Sequence, residues 1–225
     1  MNDFKINPEL DASAFRARFG ERGRVRIPDL LEARSALSLY KHLSRDIAWN
    51  TFLVAEDTMY GTTVPAPSGA EDEMRAEARE AAKKGFACLY DADRLFPEEI
   101  PQGAWSQNPG SSPLLAIFRE RLNSPQFLDF ARAVTGIAAI TRADIQATRH
   151  RAGHFVNFHT TLPYSAQGGR RVAGFEINFT LEWRPEWGGL HTFKTLEDYT
   201  AEACIPSFNL LDLFGCHKGR WISTV

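Results

Sequence analysis

The sequence predicts a β-sandwich or jelly roll with helices packed on one face, and three observations predict it. Residues 1–136 hold the segments with helical spacing, and they read as a mostly helical support region. From Ile137 short alternating runs follow one another to the end of the chain. Helices first and strands after is the pattern of a layered domain with its helices segregated from the sheets. The chain has 225 residues, 44% of them hydrophobic and 24% charged, which suits a single domain over 1–225.

In chain order, Asp11 to Phe19 predicts a short helix capped by Asp11 or Ser13. Gly23 to Ile27 alternates and stops at Pro28, as a strand does. Ala33, Ala36, Leu37, Tyr40 and Leu43 give Glu32 to Ser44 a helical period. Trp49–Val54 and Thr58–Val64 read as strands, the second broken by Pro65-Ala-Pro-Ser-Gly69. Glu71 to Lys84 is a charged, Ala-rich helix closed by Gly85, its charges read as a solvated face. Phe86–Tyr90 is a short strand, Pro97–Pro113 a loop or lid, and Leu114–Leu122 a helix. Ser124 caps the next helix, with Pro125 in its first turn and Gly136 beyond its end. The later strands fall at Ile137–Ala143, Ile145–Arg151, Phe155–His159, Val172–Leu181, Leu190–Phe193, Ala201–Ile205, Leu210–Phe214 and Trp221–Val225.

Charge and composition exclude several classes. A net charge of -2 with no polybasic run argues against nucleic acid and against a membrane surface as partners. The start of the chain lacks the apolar core of a signal peptide, and no stretch approaches the ~20 apolar residues of a membrane span. Cys88, Cys204 and Cys216 are odd in number and lack CxxC spacing, so they read as thiols of a reducing compartment. A cytoplasmic protein is the expectation.

The chemistry concentrates between Asp144 and Phe193, where His150, His154 and His159 fall within ten residues. A His-x-Asp/Glu pair at a bent strand end sets two metal ligands on one side. A second His from a distant strand completes a 2-His-1-carboxylate triad with open positions for oxygen and substrate. In His159-Thr160-Thr161 the carboxylate position holds Thr161, a hydroxyl that offsets none of the ion's charge. On a straight strand His150 and His154 share one face and His159 the other, and a bulge at Gly153 would change that. Trp183, Pro185 and Trp187 with Gly188-Gly189 form either a substrate platform or a packed corner, and His191 is a further inward candidate. Arg149, Arg151, Arg170 and Arg171 are either a solvated strand end or an anion contact.

Ala147-Thr-Arg-His-Arg-Ala-Gly153-His-Phe-Val-Asn-Phe-His159, Asn178-Phe-Thr-Leu-Glu-Trp183-Arg-Pro-Glu-Trp187-Gly-Gly189 and Pro206-Ser-Phe-Asn209 resemble the Fe(II)/2-oxoglutarate-dependent dioxygenases of the prolyl-hydroxylase-like class. So does the N-terminal Gly23-Arg-Val-Arg-Ile-Pro-Asp29. The resemblance implies a double-stranded β-helix (a jelly roll) and an oxidoreductase reaction, C–H hydroxylation coupled to 2-oxoglutarate decarboxylation, with Fe(II) and 2-oxoglutarate as cofactors. His159 matches the family's first His. The carboxylate position falls on Thr161 and the distal His on Arg220, which has no lone pair to offer. His217 is the replacement within reach of a register shift. His150, Asn178 and Arg170 fall at candidate cosubstrate positions, His150 where the family has a tyrosine. The family's last strand, with its cosubstrate arginine, has no counterpart before Val225, so an exposed sheet edge open to self-association is expected. Two functions follow: a hydroxylase with an altered triad, acting on a small-molecule or peptidyl substrate, or a non-catalytic, metal-independent ligand-binding relative.

Overall fold

The computed structural model describes residues 4–47, 49–55, 58–62, 70–94, 112–160, 170–195, 200–216 and 220–224. Thr161, His217 and most of the 97–113 loop lie outside them. In chain order the elements are α1 (Ala12–Arg22), β1 (Arg24–Ile27), α2 (Ala33–Arg45), β2 (Asn50–Ala55), β3 (Thr58–Thr62), α3 (Ala70–Ala82), β4 (Ala87–Arg94), α4 (Pro113–Leu122) and α5 (Pro125–Thr135). Then come β5 (Gln146–Arg149), β6 (Phe155–Thr160), β7 (Ala173–Asn178), β8 (His191–Thr195), β9 (Ala201–Cys204), β10 (Leu210–Gly215) and β11 (Arg220–Thr224).

The helix ends follow the sequence signals. The Asp11 carboxylate accepts from the Ser13 backbone N–H at 2.9 Å, and Gly23 closes α1 at φ 62°. Pro113 and Pro125 open α4 and α5, where a missing N–H costs no intrahelical bond.

Two antiparallel sheets result. The smaller has the order β1-β10-β7; the larger runs β3-β2-β4-β6-β11-β8-β9, with β5 also paired to β4. Strands from the N-terminal region thus join both sheets, so Ile137 does not divide helices from strands. In the small sheet, Val25, Ile27, Leu211, Leu213, Phe175 and Ile177 lie on one face and enter the main core beneath α1, α2, α4 and α5. Arg26, Asp212 and Glu176 share the opposite face, as Leu210 and Asn178 do. That face meets the large sheet, where Phe193 of β8 packs on Phe214 of β10 at 5.4 Å between ring centroids. Gly174 admits the Phe214 ring: a Cβ there would stand 2.4 Å from Phe214 Cε2.

Two expectations are corrected. Helices cover both outer faces, not one. Met74, Ala78 and Ala81 form a buried stripe on α3 that packs on Leu53 and Leu89 of the large sheet, so only the other side of α3 is a solvated face. Residues 137–143 form no strand. Ile137, Ile140 and Ala143 recur at intervals of three and turn to the helical core. Side chains satisfy their backbone: Asn123 bonds both the N–H and the carbonyl of Ala143, and Arg132 Nε donates to Ile140 O at 2.8 Å.

Candidate functional site

The space between the sheets collects the polar residues. From β7, Glu176 and Asn178 face away from the helices. From β8, His191 reaches across, its Nδ1 2.9 Å from Glu176 Oε2. The His191 side chain is 9% exposed and that of Glu176 42%, so the pair lies at the wall of a cleft that solvent reaches from the Glu176 side. Burial pushes the Glu176 carboxyl up, but His191, His150 and Asn178 outweigh burial and hold it below the ordinary Glu range.

His159 stands on the same cleft. It pairs across the ladder with Ile222, which pairs in turn with Phe193 on the inter-sheet face. Its Nδ1 lies 3.0 Å from the Asn157 carbonyl, its ring packs 5.3 Å from Phe86, and burial lowers its pKa. His150 stacks on Tyr90 at 6.0 Å, is held neutral by burial, and has a buried Nδ1 with no partner among the described residues. His191 acts electrostatically on both His150 and His159.

The parity argument that separated His150 from His159 fails for two reasons. The run is two strands, broken by a turn where Gly153 has φ 85°. The β6–β11 register also slips, with Ile222 opposite His159 but Thr224 opposite Val156, so β6 carries an extra residue and Val156 shares the His159 face. His154 goes elsewhere. Its side chain is 1% exposed and its Nε2 lies 4.0 Å from Asp91 Oδ1.

The four arginines divide. Arg149 donates to Asp91 Oδ2 through Nε at 3.0 Å and Nη2 at 2.8 Å. Arg151 donates to both Asp91 oxygens and to both Glu71 oxygens, and Thr51 Oγ1 adds a bond to Asp91 at 2.9 Å. This network ties β2, β4, α3 and the β5–β6 turn together, so neither a bare strand end nor an anion contact describes it. Burial pushes Asp91 up; the bonds from Arg151, Arg149 and Thr51 prevail and lower its pKa. Arg170 and Arg171 stay exposed, and of the two it is Arg171 that acts on His159.

Of the positions that the sequence singles out, His150, His159, Asn178 and His191 therefore come to one cleft. Glu176 is the member the sequence reading missed. The signal was there: it lies two residues before Asn178 in a strand, hence on the same face.

The described residues present no three-ligand iron centre. Of the two strands hydrogen-bonded to that of His159, β11 is Arg220-Trp-Ile-Ser-Thr224, with neither imidazole nor carboxylate, and the Asp91 carboxylate of β4 is taken up by Arg149 and Arg151. Among the described residues no three His, Cys, Asp or Glu side chains are grouped to hold a metal ion. Nor is an arginine of the small sheet available to a dicarboxylate: Arg26 bonds Asp212 and the Ile205 carbonyl, and Arg24 pairs with Glu202.

No protein-family model matches the sequence, and no curated protein matches it. Among solved structures, an oxidoreductase of the 2OG-Fe(II) oxygenase family from Burkholderia pseudomallei superposes with a TM-score of 0.56 at 12% identity, over 98% of this chain and 86% of that one. A Pseudomonas putida prolyl-4-hydroxylase covers 95% of this chain and 90% of its own at 13% identity, with a TM-score of 0.42 that carries no weight. The mainly antiparallel architecture with flanking helices is thus the fold of the 2OG-Fe(II) oxygenases.

Proposed function

We propose that this chain is a double-stranded β-helix protein that binds a small polar ligand in its inter-sheet cleft, without iron and 2-oxoglutarate turnover. The observation that carries this reading is the composition of β11. The strand beside His159 offers an arginine and an isoleucine where the resemblance would put the distal histidine's neighbourhood. The inter-sheet face keeps polar groups that support this reading: neutral imidazoles at His150 and His159, the His191–Glu176 contact and Asn178. Buried groups of this kind, His150 Nδ1 above all, call for a hydrogen-bonding occupant. Cys88, Cys204 and Cys216 form no disulfide, in keeping with a cytoplasmic setting, and no described helix is long and apolar enough to cross a membrane.

The test is turnover. With Fe(II), oxygen and 2-oxoglutarate present, succinate release is expected to stay at the uncatalysed background. Stoichiometric succinate would overturn the reading.

A second reading, an active 2-oxoglutarate-dependent dioxygenase, has one specific observation in its favour. The Asn157 carbonyl can only accept, so a hydrogen bond at His159 Nδ1 puts the proton there and leaves the Nε2 lone pair for a metal. Tight Fe(II) binding by the wild-type protein would establish this reading and direct attention to His217 and His150 as the further ligands.

We also infer self-association, and the sheet topology supports it. β7 ends the small sheet, and among the described residues no strand pairs with its second edge. Its six residues are all only half-buried. Such an edge presents open N–H and C=O groups to another chain. Self-association that grows with concentration is expected in light scattering, and a monomer at high concentration would exclude it.

A further inference from the structure

We propose that Ser112, His42 and Asp46 form a hydrolytic site that cleaves a small, uncharged carboxylic ester, passing the acyl group to Ser112 Oγ and then to water. The three side chains make one hydrogen-bonded relay. His42 Nε2 meets Ser112 Oγ, and His42 Nδ1 lies 3.0 Å from Asp46 Oδ2. A carboxylate only accepts, so the proton sits on Nδ1 and Nε2 presents its lone pair to the serine hydroxyl. In this arrangement an imidazole takes the hydroxyl proton as the oxygen attacks. It is recognised by geometry and not by chain order.

Three elements hold the relay. On α2, Ser35 and Leu39 are buried, and His42, three residues beyond Leu39, shares their face; its side chain is 15% exposed. Asp46 follows one turn later at the helix end. Ser112 stands before Pro113 at the start of α4, where its Oγ accepts from the Leu115 N–H at 3.5 Å. Capping uses a lone pair of the hydroxyl and leaves its hydrogen for His42. Asp93 of β4, 6% exposed, accepts from the Ser112 N–H at 3.4 Å and fixes the backbone behind the nucleophile. Along β4, Asp93 lies on the opposite face from Tyr90, which stacks on His150, so the site is separate from the inter-sheet cleft.

Two features select the substrate class. Pro113 has no N–H, so the first turn of α4 offers the Leu114 N–H and the positive end of the helix to a developing oxyanion. A single such donor suits an ester, whose alkoxide leaves readily, better than an amide. The Asp46 carboxylate on the imidazole disfavours an acyl group with a negative charge of its own. In the reaction Ser112 Oγ bonds to the carbonyl carbon while its proton passes to His42 Nε2. The carbon–oxygen bond to the alkoxide breaks, and Nε2 gives the proton to the departing alcohol. Water then attacks the acyl-serine and gives one proton to Nε2. The acid departs as Ser112 Oγ takes that proton back.

The experiment exposes the full chain, with EDTA present, to 4-nitrophenyl acetate and separately to an alkyl fluorophosphonate, and locates the adduct by mass spectrometry. The phosphonyl group is expected on Ser112, and ester hydrolysis should decline in acid as imidazole protonation removes the acceptor. His42→Ala should slow both reactions about a hundredfold, the scale of a lost general base. Asp46 is a positioning residue and its side chain is 62% exposed. Asp46→Ala should therefore cost only about tenfold in kcat, below the ~10⁴ of a buried triad carboxylate, with KM unchanged and partial rescue by Asp46→Glu. Ser112→Asn keeps a capping side chain, so circular dichroism should show an unchanged fold while both reactions fall to background. No adduct on Ser112, hydrolysis that survives in Ser112→Asn, or equal rates in the wild type and His42→Ala would overturn the proposal.

Discussion

The double variant Thr161→Asp/Arg220→His is expected to bind Mn(II) or Fe(II) at least a thousandfold more tightly than the wild type. By the resemblance, the wild type keeps one family ligand, His159, and places Arg220 at the distal position. At an effective dielectric of about 20, two unit charges ~4 Å apart repel by roughly 4 kcal/mol, and a divalent ion doubles that. Even the single-charge figure corresponds to about three decades in an equilibrium constant. Thr161→Asp alone should recover little, because the new carboxylate and Arg220 neutralise each other. Arg220→His alone should recover some binding through two imidazoles. The double change should exceed the sum of the single effects, since both positions would share one ion. Anaerobic calorimetry on the four proteins decides the matter. Additive effects, or stoichiometric binding by the wild type, would show that the distal position is not Arg220.

The second large effect concerns stability. Arg149→Met with Arg151→Met should cost about 3–5 kcal/mol, the usual penalty for stranding a buried charge. For a chain of this size that lowers Tm by roughly 6–20 °C. Asp91 is 1% exposed and would keep the Thr51 hydroxyl as its hydrogen-bond donor, with His154 Nε2 4.0 Å away. The reverse deletion, Asp91→Asn, should cost less, because the Arg149 and Arg151 side chains are 43% and 32% exposed and can recover water. The pH dependence tells the two situations apart. In the wild type the Asp91 pKa lies below its unfolded value. Its contribution is therefore present above the unfolded pKa of about 4 and is lost as pH falls through the folded value. In the double arginine variant burial, the largest influence on Asp91, is opposed only by the smaller effect of the Thr51 bond and raises the folded pKa. The stability then is greatest below about pH 4 and declines as pH rises through the raised value. Thermal melts of both proteins from pH 3 to 7 would show opposite slopes, and parallel slopes would refute the account.

Much of the fold was legible because its signals are local. Asp11, Pro125 and Gly136 mark helix ends by their own chemistry, and alternation placed β6 to β11 within a few residues. Residues 137–143 misled because Ile137, Ile140 and Ala143 turn inward on a segment whose backbone bonds go to Asn123 and Arg132, partners that no local pattern reveals. The stripe on α3 was hidden for a similar reason: Met74, Ala78 and Ala81 are short or single among many charges. At the site, residue types pointed to His150, His159, His191 and Asn178, but their common cleft depends on the turn at Gly153 and the extra residue in β6. Such irregularities are set by tertiary pairing. Asp91 drew no notice, since a lone carboxylate in a strand acquires its meaning only from arginines far along the chain.

The pairing of β1 with β10 also orders events in time. Arg26 and Asp212, bonded across that ladder, are 186 positions apart. A ribosome adding about 5–20 residues per second needs roughly 10–40 s to supply the second after the first. Throughout that interval β1 can lean on α1 but has no strand to complete its hydrogen bonds, and the inward face bearing Arg26 has no opposite wall. The nascent chain therefore carries an open, strand-competent edge until β10 has been made. Its vulnerable period lies in synthesis, where a holdase that shields β1 would raise the yield without touching the finished protein.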